Sequence, residues 1–200
     1  MKEETLFHAL FWTLLGLVLL MQFYFRLRVR LAGVRFLPKQ TAIQREGRGA
    51  FIAWVIGFFL LIALLASYAA EPPWMVALNF WLPAWLRWAG FALGLASLGL
   101  WTWTQLALGS LWSAQLQTRA AHHLITGGPY SRMRHPMYTA MSGWGVSLAL
   151  VTASWFFVGV AVLVFATFYS RVPREEKMML ERFGDAYRQY QEKTGLFFPK

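Results

Sequence analysis

Apolar positions along this chain run in long blocks, without the mixed polar faces of a water-soluble domain. From Thr5 to Phe25 no residue carries a formal charge, residues 51–70 form a second such block, and 136–170 holds 35 residues without one Asp, Glu, Lys or Arg. About 20 apolar residues in helical form cross a hydrocarbon layer of about 30 Å, so the first two blocks predict spanning helices at about 6–27 and 51–70. Glu71-Pro72-Pro73 ends the second. The Trp-rich stretch from Trp74 to Trp88, broken by Pro83, predicts an interfacial segment with aromatic anchors, and a third span follows over about 87–108. Within that span Gly90 and Gly94 form a small-xxx-small pattern, which predicts close helix packing.

The block at 136–170 is too long for one straight crossing, since its 35 residues measure about 52 Å at 1.5 Å per residue. The chain therefore folds back, and the point of return is Thr152-Ala153-Ser154, where Ser154 can cap a new helix starting at Trp155. A hairpin of about 137–151 and 155–172 brings Arg134 and His135 to the same bilayer surface as Arg171 and Glu175. Beyond it Met179, Phe183, Tyr187 and Tyr190 recur at helical spacing among Lys177, Glu181, Arg182, Asp185, Arg188 and Gln189, an amphipathic helix over about 174–192. Its apolar stripe either lies on the lipid headgroups or folds over the polar residues as a lid. Gly184 weakens that helix by about 1 kcal/mol, which predicts close packing against another backbone. The expected fold is all-α: a polytopic membrane bundle of about five transmembrane helices, the last two a helical hairpin, with a C-terminal lid helix on the cytoplasmic face. Residues 1–110 form the N-terminal spans with a basic cytoplasmic loop, and 111–200 form the core that carries the hairpin and the lid.

Composition agrees with this class. Hydrophobic residues make up 58% of the chain, charged residues 14%, and the mean hydropathy is +0.43, which excludes a water-soluble monomer. The first block lacks a small-residue cleavage pattern and reads as a retained anchor. With no cysteine, disulfides, thiolate nucleophiles and thiolate metal sites are excluded. The net charge of +10 points to topology. Of 19 Lys and Arg residues, seven lie between Arg26 and Arg48, three between Arg119 and Arg134, and seven from Arg171 to Lys200. Alternate crossing places all three groups on the cytoplasmic side, with Lys2 and Arg87 opposite, as the positive-inside rule requires. The basic excess then faces anionic lipid headgroups, and no motif that reads nucleic acid accompanies it.

The densest polar chemistry stands at the two mouths of the 136–170 block. Gly127-Gly128-Pro129 is a turn by its residue types, either a plain loop or a support that presents backbone N–H groups to a small polar ligand. His122 and His123 are adjacent and lack a nearby carboxylate, which argues against a metal. Pro136 suits the first turn of a helix, leaving its N-terminal N–H groups open to an anion beside Arg134 and His135. The bland alternative is that both residues snorkel to the interface. Arg171 and Glu175, four apart, can simply pair along a helix.

In order, the run from His122 through Gly127-Gly128-Pro129-Tyr130, then Arg134-His135-Pro136-Met137-Tyr138, then Arg171, Glu175-Glu176, Leu180, Phe183-Gly184 and Tyr187, resembles the isoprenylcysteine carboxyl methyltransferase and phospholipid methyltransferase superfamily. The resemblance covers roughly 111–199. It implies an integral membrane enzyme that binds S-adenosylmethionine beneath a lid formed by the C-terminal helix and receives a hydrophobic acceptor from the bilayer. Carried over by position, it implies that Gln115, His122, His123, Leu124, Ile125, Tyr130, His135, Pro136, Met137, Tyr138 and Glu175 line the cofactor pocket. Arg171 is implied to meet the acceptor. Ala140 stands where the family usually has Gly, and Leu196 takes the place of an Arg in the C-terminal pattern Thr194-Gly195-Leu196-Phe197-Phe198-Pro199.

Methyl transfer is an in-line displacement that needs positioning more than covalent help, and orientation alone contributes about 7–11 kcal/mol. The expected catalytic residues are Arg171, Glu175 and His135. Glu175 suits the cofactor's amino group, and Arg171 suits an anionic acceptor through its planar fork. An amine acceptor requires a base, for which His135 and Glu176 are candidates. No metal is called for. The acceptor is left open among an isoprenylcysteine-type carboxylate, taken first, a phospholipid amine and a small thiol. A non-catalytic membrane protein that keeps the fold is the alternative from another class.

Overall fold

The computed structural model describes residues 2–31, 59, 62–63, 65–109 and 124–200. They form α1 (Lys2–Leu31), the single turn α2 (Pro73–Val76), α3 (Ala84–Leu108), a 3-10 turn (Gly128–Ser131), α4 (Pro136–Thr152), α5 (Trp155–Phe183) and α6 (Asp185–Lys193). Among the described residues three helices, Glu3–Leu31, Ala84–Leu108 and Trp155–Phe183, are long and apolar enough to cross a membrane. The span expected at 51–70 lies largely outside the described residues; 65–70 are helical and stop at Glu71 as the prolines require. Helix α4 has 17 residues, about 25 Å of rise, just short of the hydrocarbon thickness of about 30 Å.

Prolines start the helices. Pro73 and Pro136 occupy first-turn positions of α2 and α4, and Pro83 precedes α3, places where a missing N–H leaves no helical bond unmade. The α3–α4 seam is built on small residues. A Cβ added at Gly90 would stand 2.5 Å from Leu150 Cβ and 3.3 Å from the Val151 nitrogen, and one at Gly143 would stand 2.5 Å from Ser97 Oγ. At Gly94 it would run into Ser147 Oγ and the Leu14 side chain, so α1 shares this contact. Without side chains in the way the backbones approach closely, the packing expected of small residues in lipid. Phe11, Leu14, Leu148, Val151 and Phe157 pack together between α1, α4 and α5, and Val18, Trp101 and Ala140 pack where α1, α3 and α4 meet.

Arg87, an exception to the one-sided basic distribution, is buried at the outer end of this core. Its Nη1 and Nη2 donate to the two oxygens of Glu4 at 2.7 and 3.1 Å, and its Nε donates to the Val151 carbonyl at 3.0 Å. The guanidinium also lies 3.9 Å from the Phe7 ring centre. One cation thus ties α1 and the end of α4 to the start of α3, and bidentate pairing offsets its removal from water.

The chain returns after α4 where the block length demands it. Ala153 takes a left-handed conformation (φ 48°) and Ser154 an extended one. Ser154 was expected to cap α5, but its hydroxyl is buried and makes no cap bond. The neighbouring chain satisfies this turn: Phe80 N–H donates to the Ala153 carbonyl at 2.8 Å and Trp155 N–H to the Leu78 carbonyl at 2.9 Å.

Helix α5 differs from the expectation at its far end. It continues through Pro173 to Phe183, so the helix expected over 174–192 is divided between the end of α5 and the separate α6. An internal proline costs about 3 kcal/mol; side-chain bonds from Glu175 and Glu176 to residues of α4 and α6 hold the helix beyond it. Gly184 breaks the helix with φ +53°, and no atom of the described residues lies within 4 Å of an added Cβ. It serves the change of direction, and the close backbone packing expected there is not found among the described residues.

Two predictions follow from this packing. Along α3, Gly90→Ala is expected to destabilise the detergent-solubilised protein in thermal unfolding, whereas Gly99→Ala, whose Cβ would meet nothing within 4 Å, is expected to stabilise it by about 0.5–1 kcal/mol. Arg87→Leu strands the Val151 carbonyl but takes the buried charge away with it and is expected to cost about 2 kcal/mol, while Glu4→Ala leaves the buried guanidinium without its carboxylate and is expected to cost about 3 kcal/mol; a Glu4→Ala variant as stable as the native protein would contradict this account.

Candidate active site

The hairpin brings the two polar mouths of the apolar block together. His135, immediately before α4, meets two adjacent carboxylates on α5: its Nε2 lies 2.9 Å from Glu176 Oε1, and its Nδ1 lies 3.6 Å from Glu175 Oε2. Tyr138, one turn into α4, donates its hydroxyl to Glu175 Oε1 in a short bond. Its ring stacks between His135 and Phe168, with centroids 5.4 and 4.6 Å apart. Residues 175 and 176 are separated by about 100° around a helix, so one carboxylate turns to Tyr138 and the other toward α6.

Glu176 is the more heavily bonded of the two. Its Oε1 accepts from Arg134 Nε at 3.1 Å, His135 Nε2 at 2.9 Å and Tyr187 Oη at 2.8 Å, and its Oε2 accepts from Gln191 Nε2. Arg134 Nη1 also donates to the carbonyls of Gln191 at 3.1 Å and Thr194 at 2.5 Å. Helix α6 thereby lies over the cluster with Tyr187 and Tyr190 buried. Burial first, and then the bond to the Glu176 carboxylate, push the Tyr187 phenol up. Burial likewise pushes Tyr190 up to about 12, so both phenols stay protonated as donors. Tyr190 spends its proton on the Tyr130 carbonyl at 2.7 Å.

Residues 194–200 close the far side. Arg134 N–H donates to the Gly195 carbonyl at 2.9 Å, His135 N–H to the Leu196 carbonyl at 3.0 Å, and Gly195 N–H to the Arg132 carbonyl at 3.1 Å. Thr139 Oγ1 adds a bond to the Phe197 carbonyl at 2.6 Å. Leu196, where an Arg was expected, therefore docks through its carbonyl, which any residue supplies. Gly195 is required, because a Cβ there would run into the Phe198 carbonyl.

Of the residues named from sequence, His135, Tyr138 and Glu175 come together directly. Pro136 is buried beside them at the start of α4. Leu124 and Ile125 are half-buried. Tyr130 lies in the 3-10 turn, whose Gly128 (φ +61°) rests against Trp103 and Ala107 of α3. The N–H groups of Tyr130, Arg132 and Met133 are taken by the carbonyls of Gly127 and Pro129, so these three are bonded within the turn. Met137 and Ala140 pack with Val18 and Trp101 in the helix core, and the extra methyl of Ala140 belongs to that packing. Gln115, His122 and His123 lie outside the described residues.

Arg171 stands one turn before Glu175, exposed and without an ion pair among the described residues. The helical Arg171–Glu175 pair is therefore not formed, because Glu175 faces Tyr138 and His135. Beside this rim Phe165, Tyr169 and Phe197 form a mutual ring contact, with centroids 6.0–6.4 Å apart, and Phe198 is exposed. Reading by motif missed Gln191, Thr194 and the extent of the Glu176 bonding. The available signal was the polar pair Glu175-Glu176 on a helix end that must bury both.

Residues 85–186 match the family model described as phospholipid methyltransferase. Over 147 residues the chain is 31% identical to the nickel-cobalt-cadmium resistance protein NccN of Alcaligenes xylosoxydans xylosoxydans, covering 73% of this chain and 62% of that protein. Over 134 residues it is 32% identical to the cobalt-zinc-cadmium resistance protein CzcN of Cupriavidus metallidurans, covering 64% of this chain and 62% of that one. The fold is similar to the solved structure of the eukaryotic intramembrane Ras methyltransferase, isoprenylcysteine carboxyl methyltransferase, with a TM-score of 0.55 and 25% identity, covering 70% of this chain and 52% of that one. With the matched region spanning more than half of its residues and ending beyond the paired carboxylates, the chain belongs to the phospholipid methyltransferase family.

Proposed function

We propose that this protein is an integral membrane S-adenosylmethionine-dependent methyltransferase acting on a hydrophobic or lipid-like acceptor. The observation that carries the reading is the convergence of His135, Tyr138 and Glu175 beneath α6, with Arg171 at the rim one turn away and without an ion pair among the described residues. Residues 111–200 form the catalytic core in this reading, and 1–110 anchor it. The one-sided distribution of Lys and Arg supports a cytoplasmic site.

The residues suit the cofactor. The Glu175 carboxylate, one oxygen of which is held by Tyr138, complements a ligand that carries both an ammonium and a sulfonium. When bound, the cofactor supplies a methyl group on that sulfonium. The protein's share is positional: Glu175, held by Tyr138, fixes the amino group, and α6 and the tail exclude water from the reacting centre. The exposed rings of Phe165, Tyr169 and Phe198 offer an apolar acceptor a path from the bilayer to the rim. Arg171 there orients an anionic acceptor, an isoprenylcysteine-type carboxylate first among them. With an amine acceptor, the proton released on nitrogen passes to His135, whose Nδ1 faces the Glu175 side. The Glu176 oxygens are already engaged.

Two outcomes test this reading. Glu175→Ala is expected to lower the affinity for S-adenosylmethionine by about 100-fold in calorimetry on detergent-solubilised protein, through loss of a charge-assisted contact; unchanged affinity would remove Glu175 from the pocket. Arg171→Ala is expected to bind the cofactor as the native protein does but to lose transfer of a labelled methyl group to membrane extracts, with the product identified by mass in the native reaction. Full turnover in that variant would take Arg171 out of the acceptor site.

A further inference from the structure

Glu176 is built into the site in a way that no proton transfer or ligand contact requires. A carboxylate offers two lone-pair positions on each oxygen, and here Arg134, His135 and Tyr187 crowd onto Oε1 while Gln191 donates to Oε2. The side chains of Arg134, His135 and Glu176 are 13%, 10% and 14% exposed, so these bonds act with little competition from water. Carboxylate oxygens only accept, which puts a ring proton of His135 on Nε2, with Nδ1 turned to Glu175 Oε2 at 3.6 Å. The same carboxylate holds Tyr187 and Gln191 of α6, and Arg134 extends the contact to the Thr194 carbonyl. Removing Glu176 would therefore release the imidazole and the C-terminal segment together.

We propose that Glu176 is a positioning residue with two coupled tasks: it sets the protonation site and orientation of His135, and it holds α6 and the tail across the site. Because one carboxylate performs both, its removal releases the ring and the C-terminal segment together, whereas loss of a single bond to α6 leaves the ring set. Any effect on turnover rests on the methyl-transfer reading; the two structural signatures do not.

The test uses the full chain in detergent micelles with nitrogen-15-labelled histidine. His135 is one of four histidines, and its signal is identified by its loss in His135→Gln. The native protein is expected to show an Nε2-protonated ring, and Glu176→Ala to lose that signature. In the same variant trypsin cleavage after the exposed Arg188 and Lys193 is expected to rise about tenfold or more, as loss of charge-assisted bonds requires. Tyr187→Phe removes a bond to α6 and leaves His135 on its carboxylate; it is expected to speed cleavage and keep the histidine signature, a separation that general destabilisation would not produce. Should Glu176→Ala fail to fold, Glu176→Gln keeps an accepting oxygen for His135 but cannot accept from Gln191 on its amide nitrogen. Faster cleavage with a retained ring signature is then expected. An unchanged ring signal in Glu176→Ala, or native cleavage rates in both Glu176 variants, would overturn the proposal. Native protein that shows both signatures but binds no S-adenosylmethionine would remove the methyl-transfer reading and leave this inference standing.

Discussion

A hydrocarbon layer of about 30 Å cannot hold 35 consecutive uncharged residues in one upright helix, and that mismatch shapes the C-terminal half of the molecule. The chain turns back at Ala153, whose left-handed conformation is supported by backbone bonds to 78–80. Once it turns, the polar residues that flank the apolar block in sequence become neighbours in space. His135 reaches Glu175 and Glu176 across some forty positions because two antiparallel helices share one end.

At that shared end, burying charge is costly unless each charge is bonded. The two carboxylates of α5 solve this differently. Glu176 is surrounded by donors and joins three elements. Glu175 holds Tyr138 and faces His135, a less crowded setting that leaves it suited to a cationic ligand. At the opposite end of the bundle Arg87 meets the same constraint through Glu4 and the Val151 carbonyl. This arginine is tolerated there because its charge is paired and serves helix docking.

The legible parts of this architecture are those where a single residue type has one physical outlet. Small residues at Gly90 and Gly94 had to be contacts, and Pro136 had to open a helix. His135, Tyr138 and Glu175 were legible through their order in a family motif. What misled were residues with several outlets. Ser154 sits where a cap belongs, yet the backbone of 78–80 reached the turn first. Pro173 looks like a boundary, but bonded glutamates on its far side keep the helix continuous. Gly184 was read as a site of close packing when its positive φ marks a change of direction. Leu196 stands where the family pattern has an Arg, and its carbonyl receives the His135 N–H, a bond that any residue there can make.

By itself the sequence determined the membrane class, the return of the chain within 136–170 and the residues available at the surface it returns to, because burial of apolar length and the avoidance of buried charge are properties of composition and spacing. Only the tertiary structure decided which carboxylate serves which partner, that Arg171 pairs with neither of them, and that α6 meets the cluster with its tyrosines inward. Those outcomes depend on the direction of side chains across two helices and a tail far apart in sequence. Hydrogen-bond geometry over distances of about 3 Å is set only when those elements are packed together.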